Sequence, residues 1–107
     1  MNPASPPPGS TADDPYQAER ARLLRMFGEK LRAARERREL SQEALARLLD
    51  VHRTHIGALE LGLRDPHLTM LLILADGLQV PPSALLEGLF VPRQRKAATH
   101  SKGGGGG

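Results

Sequence analysis

Two histidines, His52 and His55, lie three residues apart in a segment of helical character, a spacing at which both rings can face one metal ion. The chain has four histidines and no cysteine, and no acidic residue stands at a ligand spacing from this pair. Structural zinc sites need four ligands and often use thiolates. We therefore expect no metal and place both histidines at the surface.

The sequence also lacks a pattern of side chains for nucleophilic catalysis. Serine and histidine occur, but no pattern places a base and an orienting acid around a hydroxyl group. The chain also has no glycine loop that would hold a phosphate, because its one glycine run, residues 103–107, belongs to a tail and has the composition of an engineered linker. We predict a protein that is not an enzyme and needs no cofactor.

Basic residues are concentrated in two stretches, although the net charge is only +3. The first stretch contains Arg20, Arg22, Arg25, Lys30, Arg32, Arg35, Arg37 and Arg38, and the second contains Arg93, Arg95, Lys96 and Lys102. Such stretches suit a polyanion such as nucleic acid. A solvated helix face would give the same pattern, so charge alone leaves both interpretations open.

The remaining composition indicates one domain between two tails. Residues 1–16 and 93–107 are rich in Pro, Gly, Ser or charge and are predicted to be disordered, which leaves residues 17–92 as the folded domain. No apolar run approaches the ~20 residues that span a membrane, and prolines occupy the place of a signal sequence. These features predict a cytoplasmic protein without a membrane partner.

Five helical patterns follow one another through the domain, at about 17–38, 41–49, 53–61, 68–78 and 82–89. The first carries an apolar stripe of Leu24, Phe27, Leu31 and Ala34. Ser41 is a good N-cap for the second, whose predicted buried face is Leu45, Leu48 and Leu49. Short connections predict a compact all-α bundle.

The second and third patterns meet the requirements of a helix-turn-helix, in which two helices cross steeply through a tight turn. Ala46 is small where the helices must cross, and Asp50 tolerates the positive φ that the turn needs. Val51 can plug the core after the turn. Ile56 and Leu59 supply two buried positions three residues apart.

Further motifs occur in a fixed order: Ser41-Gln42-Glu43-Ala44-Leu45-Ala46, Val51-His52-Arg53-Thr54-His55-Ile56, Glu60, Gly62, Asp65-Pro66, Leu68, Leu71-Leu72, Leu74-Ala75-Asp76 and Leu85-Leu86. In this order the chain resembles the phage repressor and Cro-like helix-turn-helix family, also called Xre-type, from about Phe27 to Leu86. The set is specific because it fixes caps, turns and core positions together.

The resemblance implies a lambda-repressor-like domain of five helices that binds double-stranded DNA. The second helix of the pair, about 53–61, would lie in the major groove and read bases with its N-terminal residues. The implied function is a sequence-specific transcriptional regulator, a repressor or controller, of bacterial or phage origin and associated with the nucleoid.

The resemblance also assigns individual contacts. By position, Gln42 would contact phosphate, Arg53 and Thr54 would face bases with Gly57 and Ala58 one turn on, and His52, His55 and Arg64 would lie near the DNA backbone. Arg35 and Glu60 would pair across the first and third helices, an assignment we favour over a DNA contact by Arg35.

Six residues depart from the family pattern. Asp50 and Glu39 stand where glycine is common, and His52 and His67 occupy helix starts where Ser or Thr is usual. Leu61 and Ile73 replace residues that are often polar. We expect weaker capping at the two histidines.

The predicted partner besides DNA is a second copy of the chain. One short recognition helix reads few base pairs, and two-fold symmetry doubles the site into a palindrome. We expect one residue of Leu71-Leu72-Ile73-Leu74 to be exposed, and Ile73 with Leu89-Phe90-Val91 could form the dimer patch. The alternatives are an antitoxin that binds a toxin and represses its own operon, and the DNA-binding module of a larger assembly.

Overall fold

The computed structural model describes residues 16–92, which form five helices and, within that range, no strand. The helices are α1 (Gln17–Arg37), α2 (Gln42–Leu49), α3 (Arg53–Glu60), α4 (Leu68–Leu78) and α5 (Pro82–Leu86). The predicted all-α fold is confirmed. The fifth helix is shorter than predicted, since a turn with Gly88 at φ 81° follows it. The predicted tails lie outside the described residues, apart from Tyr16, which precedes α1.

The core is built from aliphatic side chains of all five helices. Its fully buried members are Leu31, Leu45, Ile56, Leu59, Leu74, Leu78 and Leu85. Phe27 and Ala34 join Leu31 on the inner face of α1, which confirms most of the predicted stripe, while Leu24 is only half-buried at its margin. Burial of these side chains stabilises the bundle by roughly 1.5–3 kcal/mol for each large one.

The predicted buried face of α2 is wrong at one position. Leu45 and Ala46 are buried and Leu49 packs on the core, but Leu48 is 56% exposed. On a helix, positions 45, 46 and 49 share one side, and position 48 lies about 100° away from its centre. Because this short helix contains three leucines, the sequence pattern alone did not distinguish the two that face the core from the one that is exposed.

Helices α1 and α3 cross at backbone distance, a feature that the sequence analysis missed. Gly28 of α1 lies against the C-terminal turn of α3. A Cβ atom at this position would come within 2.7 Å of the Leu59 carbonyl oxygen and still closer to that of Glu60. Only glycine permits this approach, so Gly28 fixes how deeply α3 sits in the bundle.

The turns use positive φ at residues other than glycine. Glu39 and Asp50 have φ of 58° and 59°, as their place in the family pattern suggested, and Gln79 has φ 58° without having been predicted. At Asp50 the left-handed residue ends α2 and lets the Val51 amide donate to the Ala46 carbonyl at 2.9 Å. Val51 then packs on the core, as predicted.

Capping agrees with the sequence analysis at two of three helix starts. The Ser41 hydroxyl accepts a hydrogen bond from the Ala44 amide at 2.9 Å, and His52 makes no capping bond from its side chain. His67 departs from the expectation of weak capping, because its Nδ1 accepts from the Met70 amide at 3.2 Å and caps α4. An imidazole nitrogen thus replaces the usual hydroxyl there.

The surface of α4 is more apolar than predicted. Both Leu72 and Ile73 are exposed, where one exposed residue was expected, while Leu74 is buried and Leu71 packs on the core at its edge.

Gly28→Ala should destabilise the protein by about 3 kcal/mol or more, because the added methyl group meets backbone that cannot move aside. Gly57→Ala is the matched control, since the nearest atom to its new methyl group would be Gln42 Oε1 at 3.6 Å. That change should stabilise α3 by about 0.8–1.0 kcal/mol. Urea unfolding followed by circular dichroism measures both, and equal effects would contradict the close crossing of α1 and α3.

Candidate nucleic-acid interface

The outer face of α3 lines an open cleft that brings together five of the predicted site residues. Arg53 and Thr54 are exposed on the first turn, Gly57 and Ala58 follow one turn later, and Gln42 borders the cleft from the start of α2. We call this surface the α3 cleft. Its remaining lining residues are Arg32, Arg35, Glu60, Leu61 and Leu63.

Packing of its inner face presents α3 in this orientation. Ile56 and Leu59 are fully buried, as predicted, and Glu60 is 9% exposed. Thr54, Gly57 and Ala58 lie on the opposite arc of the same helix, and Arg53 is exposed at its first residue, so the residues that hold α3 to the core are not those that face outward.

A buried ion pair fixes the C-terminal end of α3. The Glu60 carboxylate accepts hydrogen bonds from Arg35 Nε and from Arg35 Nη2, the latter at 3.0 Å, and Arg35 Nη1 donates to the Leu40 carbonyl at 2.8 Å. Arg35 is 8% exposed. The predicted pair across α1 and α3 is confirmed. Its hydrogen bond to Glu60 raises the pKa of Arg35 and outweighs the lowering by burial.

Gln42 belongs to the same network. Its Nε2 donates to Glu60 Oε1 at 3.0 Å, which ties the start of α2 to the end of α3. Within residues 16–92 no buried side-chain nitrogen or oxygen lacks a partner, so the network is fully satisfied. One amide hydrogen of Gln42 is engaged inside the protein, and its predicted phosphate contact stays a prediction. The backbone N–H groups at the start of α2 are further donors at that position.

The predicted backbone-contacting residues form a separate group. Arg64 Nη1 lies 3.2 Å from His55 Nδ1, and neither residue lines the α3 cleft. Burial lowers the pKa of His55, and the charges of Arg64 and His67 lower it further. His55 is therefore mostly neutral near pH 7 and can accept the Arg64 hydrogen bond. His52 is exposed just before α3.

No group of three metal-ligating side chains forms within the described range.

The basic stretch of α1 is used in large part by the fold itself. Arg22 pairs with Glu19 and donates to the Phe90 carbonyl at 2.8 Å, Arg32 pairs with Glu36, and Arg38 donates to the Gly77 carbonyl. Arg35 is bound to Glu60, so at least four arginines of this stretch make contacts within the protein itself.

Three residues that line the α3 cleft were not predicted to belong to the site, namely Arg32, Leu61 and Leu63. Helical spacing offered a signal for Leu61, which lies four residues after Gly57 and donates its amide to the Gly57 carbonyl at 3.0 Å. Arg32 comes from another helix, so only the tertiary structure reveals its position.

Residues 31–85 match the helix-turn-helix family, and the chain belongs to it. The resemblance to Xre and Cro-like regulators is thereby confirmed, and the chain is a DNA-binding transcriptional regulator of this class.

Three solved structures are similar to this chain. The restriction-modification controller protein C.AhdI from Aeromonas hydrophila is 40% identical with a TM-score of 0.57, and the match covers 61% of this chain and 97% of that protein. An HTH_3 family transcriptional regulator from Vibrio cholerae is 28% identical (TM-score 0.59, 63% of this chain and 38% of that one). The hypothetical transcription factor NHTF from Neisseria is also 28% identical, with a TM-score of 0.57, and the match covers 71% of this chain and 84% of that one. Comparison with curated proteins gives no match.

None of the helices in residues 16–92 is both long and apolar enough to cross a membrane.

Arg35→Ala should destabilise the protein by about 3–5 kcal/mol, because it leaves the buried Glu60 carboxylate with Gln42 as its one remaining side-chain donor. Arg32→Ala is the control on the same helix, since its pair with Glu36 is exposed and contributes only about 0.3–0.5 kcal/mol. Thermal and urea unfolding distinguish the two. An Arg35→Ala protein of unchanged stability but weaker DNA binding would contradict the structural role.

Proposed function

We propose that the chain is a sequence-specific regulator that binds a palindromic operator as a homodimer and controls transcription as a restriction-modification controller. The observation that carries the proposal is the α3 cleft, in which Arg53 and Thr54 are exposed on the first turn of a helix whose other face is locked into the core. The 40% identity to C.AhdI over 97% of that protein supports the controller assignment over an antitoxin.

Base recognition in this proposal belongs to the first turn of α3. The Arg53 guanidinium can donate two hydrogen bonds to guanine, and Thr54 offers a hydroxyl to a base edge or a methyl group to thymine. Gly57 has no side chain on the same face, which lets the helix approach the bases, and Ala58 adds a small apolar surface beside it.

Contacts with the phosphate backbone belong to the residues at either end of α3 and at the start of α2. Gln42 lies at the N-terminus of α2, where helix N–H groups and the dipole favour an anion. His52, His55 and Arg64 lie near the DNA backbone in this docking, and they position the helix without reading sequence.

A second copy is proposed because α3 has only eight residues and reads too few base pairs for selectivity. Exposed apolar side chains that a partner copy could cover occur on α4, at Leu72 and Ile73, and around the end of α5, at Leu86, Phe90 and Val91. The protein acts by binding and not by catalysis, since the cleft presents donors and apolar surface without a paired base and nucleophile.

Selection of bound sequences from random DNA tests this proposal. A palindrome of two half-sites about one helical turn apart is expected. A single, asymmetric site would refute the homodimer, and the absence of any enriched sequence would refute specific recognition. Capture of a stoichiometric toxic protein from the native host would instead favour the antitoxin.

Arg53→Ala should weaken binding to the selected site by about 1–3 kcal/mol and relax preference at one or two positions in each half-site. Arg64→Ala should weaken binding to the selected site and to random DNA alike, and should lower the salt slope by about one. Binding to the site, its point variants and random DNA at several salt concentrations measures both. Loss of discrimination by Arg64→Ala would show that the loop after α3 reads bases.

DNA affinity should fall as pH rises through the range in which His55 titrates. In the free protein the pKa of His55 is lowered below its ordinary value by burial and by Arg64 and His67, whereas a nearby phosphate would raise that pKa in the complex. Binding then takes up a proton between these two pKa values, so affinity increases as pH falls through that window. His52→Gln with His55→Gln should flatten the profile in a titration at fixed salt. If the double variant keeps the wild-type pH profile, neither histidine contacts DNA.

A further inference from the structure

The α3 cleft changes in chemistry along its length. Its N-terminal end carries the polar and cationic groups Arg53, Thr54 and Gln42, whereas two leucines are exposed near its C-terminal end, beside the buried ion pair of Arg35 and Glu60. These leucines, Leu61 and Leu63, are 69% and 73% exposed.

Backbone geometry places Leu61 in the middle of the outward face. Its amide donates to the Gly57 carbonyl at 3.0 Å, so Leu61 continues the helical path one turn beyond Gly57. At 100° per residue, position 61 falls within the arc that positions 54, 57 and 58 define. The leucine side chain therefore projects on the same side as the proposed base contacts.

Leu63 reaches the cleft by a different route. Gly62 has φ 77°, and the Leu63 amide turns back to donate to the Ala58 carbonyl at 2.9 Å. This turn commonly brings an apolar residue back against the helix, which accounts for the position of Leu63. The turn does not explain why a leucine occupies position 61, which precedes the turn and is exposed.

We propose that Leu61 determines specificity by packing against the C5-methyl group of thymine, with Ala58 beside it. The proposal rests on the docking of α3 in the major groove given above. The thymine methyl group is the apolar group that base pairs present in that groove, so an exposed leucine on the reading face has one class of partner there. Eight residues separate Leu61 from Arg53, roughly 12 Å of helix, so the two residues read different base pairs.

The test uses the operator selected from random DNA, with each thymine replaced singly by deoxyuridine. This replacement removes only the methyl group. The wild-type protein should lose about fourfold in affinity at one or two thymines in each half-site, the loss expected for one buried methyl group. Leu61→Ala should bind the thymine operator correspondingly more weakly and should no longer distinguish thymine from deoxyuridine at those positions.

Leu68→Ala is the matched control. Leu68 is also 69% exposed but lies at the start of α4 and does not line the α3 cleft. It should keep the wild-type response to every deoxyuridine. Because both leucines are exposed, both variants should retain the wild-type melting temperature, and melting curves confirm that a loss of binding is not a loss of fold.

Three results would overturn the assignment to Leu61. A wild-type protein that binds a selected operator but responds to no deoxyuridine makes no methyl contact. A response that persists in Leu61→Ala and vanishes in Thr54→Ser places the contact at Thr54. Equal weakening of Leu61→Ala on all sequences makes Leu61 a backbone contact. In each case the proposed function stands, whereas failure to select any operator overturns both.

Discussion

The buried ion pair between Arg35 and Glu60 fixes the position of α3 relative to α1 and α2. An eight-residue helix is marginal by itself and depends on tertiary contacts, to which the buried side chains of Ile56 and Leu59 contribute. The pair is directional, because the planar guanidinium donates twice to the carboxylate. Gln42 adds a third donor from α2, so the two helices of the helix-turn-helix are joined by a side-chain hydrogen bond as well as by the turn.

The close crossing at Gly28 complements this pair. The glycine determines how near α3 lies to α1, while Arg35 and Glu60 determine which residues of α3 turn inward. A carboxylate left without its partner in that position would be costly, which makes the network selective for one arrangement of the helices. The outward face of α3 is thus a consequence of contacts on the opposite side, and Arg53 and Thr54 need no packing of their own to be held in place.

Local rules were enough to predict the parts of the structure that depend on local chemistry. Ser41 caps α2, Asp50 adopts positive φ, and Ile56 and Leu59 are buried, because each follows from the conformational preference or periodicity of a few neighbouring residues. The positions that escaped prediction depend on a second helix. Whether Leu48 turns inward is decided by where α3 and α4 lie, and Gly28 matters only because the end of α3 crosses it. The family resemblance supplied the Arg35 and Glu60 pair, which periodicity alone does not reveal.

The distribution of charge has a consequence for how this regulator discriminates between DNA sequences. The net charge is +3, and several arginines of α1 are held by carboxylates or carbonyl groups of the protein. Affinity for any DNA scales with the number of phosphates that cations neutralise, and arginines held within the protein contribute less to that sequence-independent affinity. Discrimination in the proposed docking then depends on the α3 cleft, where Arg53 and Leu61 face different base pairs. Because hydrogen bonds from Arg53 and apolar contact from Leu61 have different partners, a matching site must satisfy both at a fixed separation along one rigid helix.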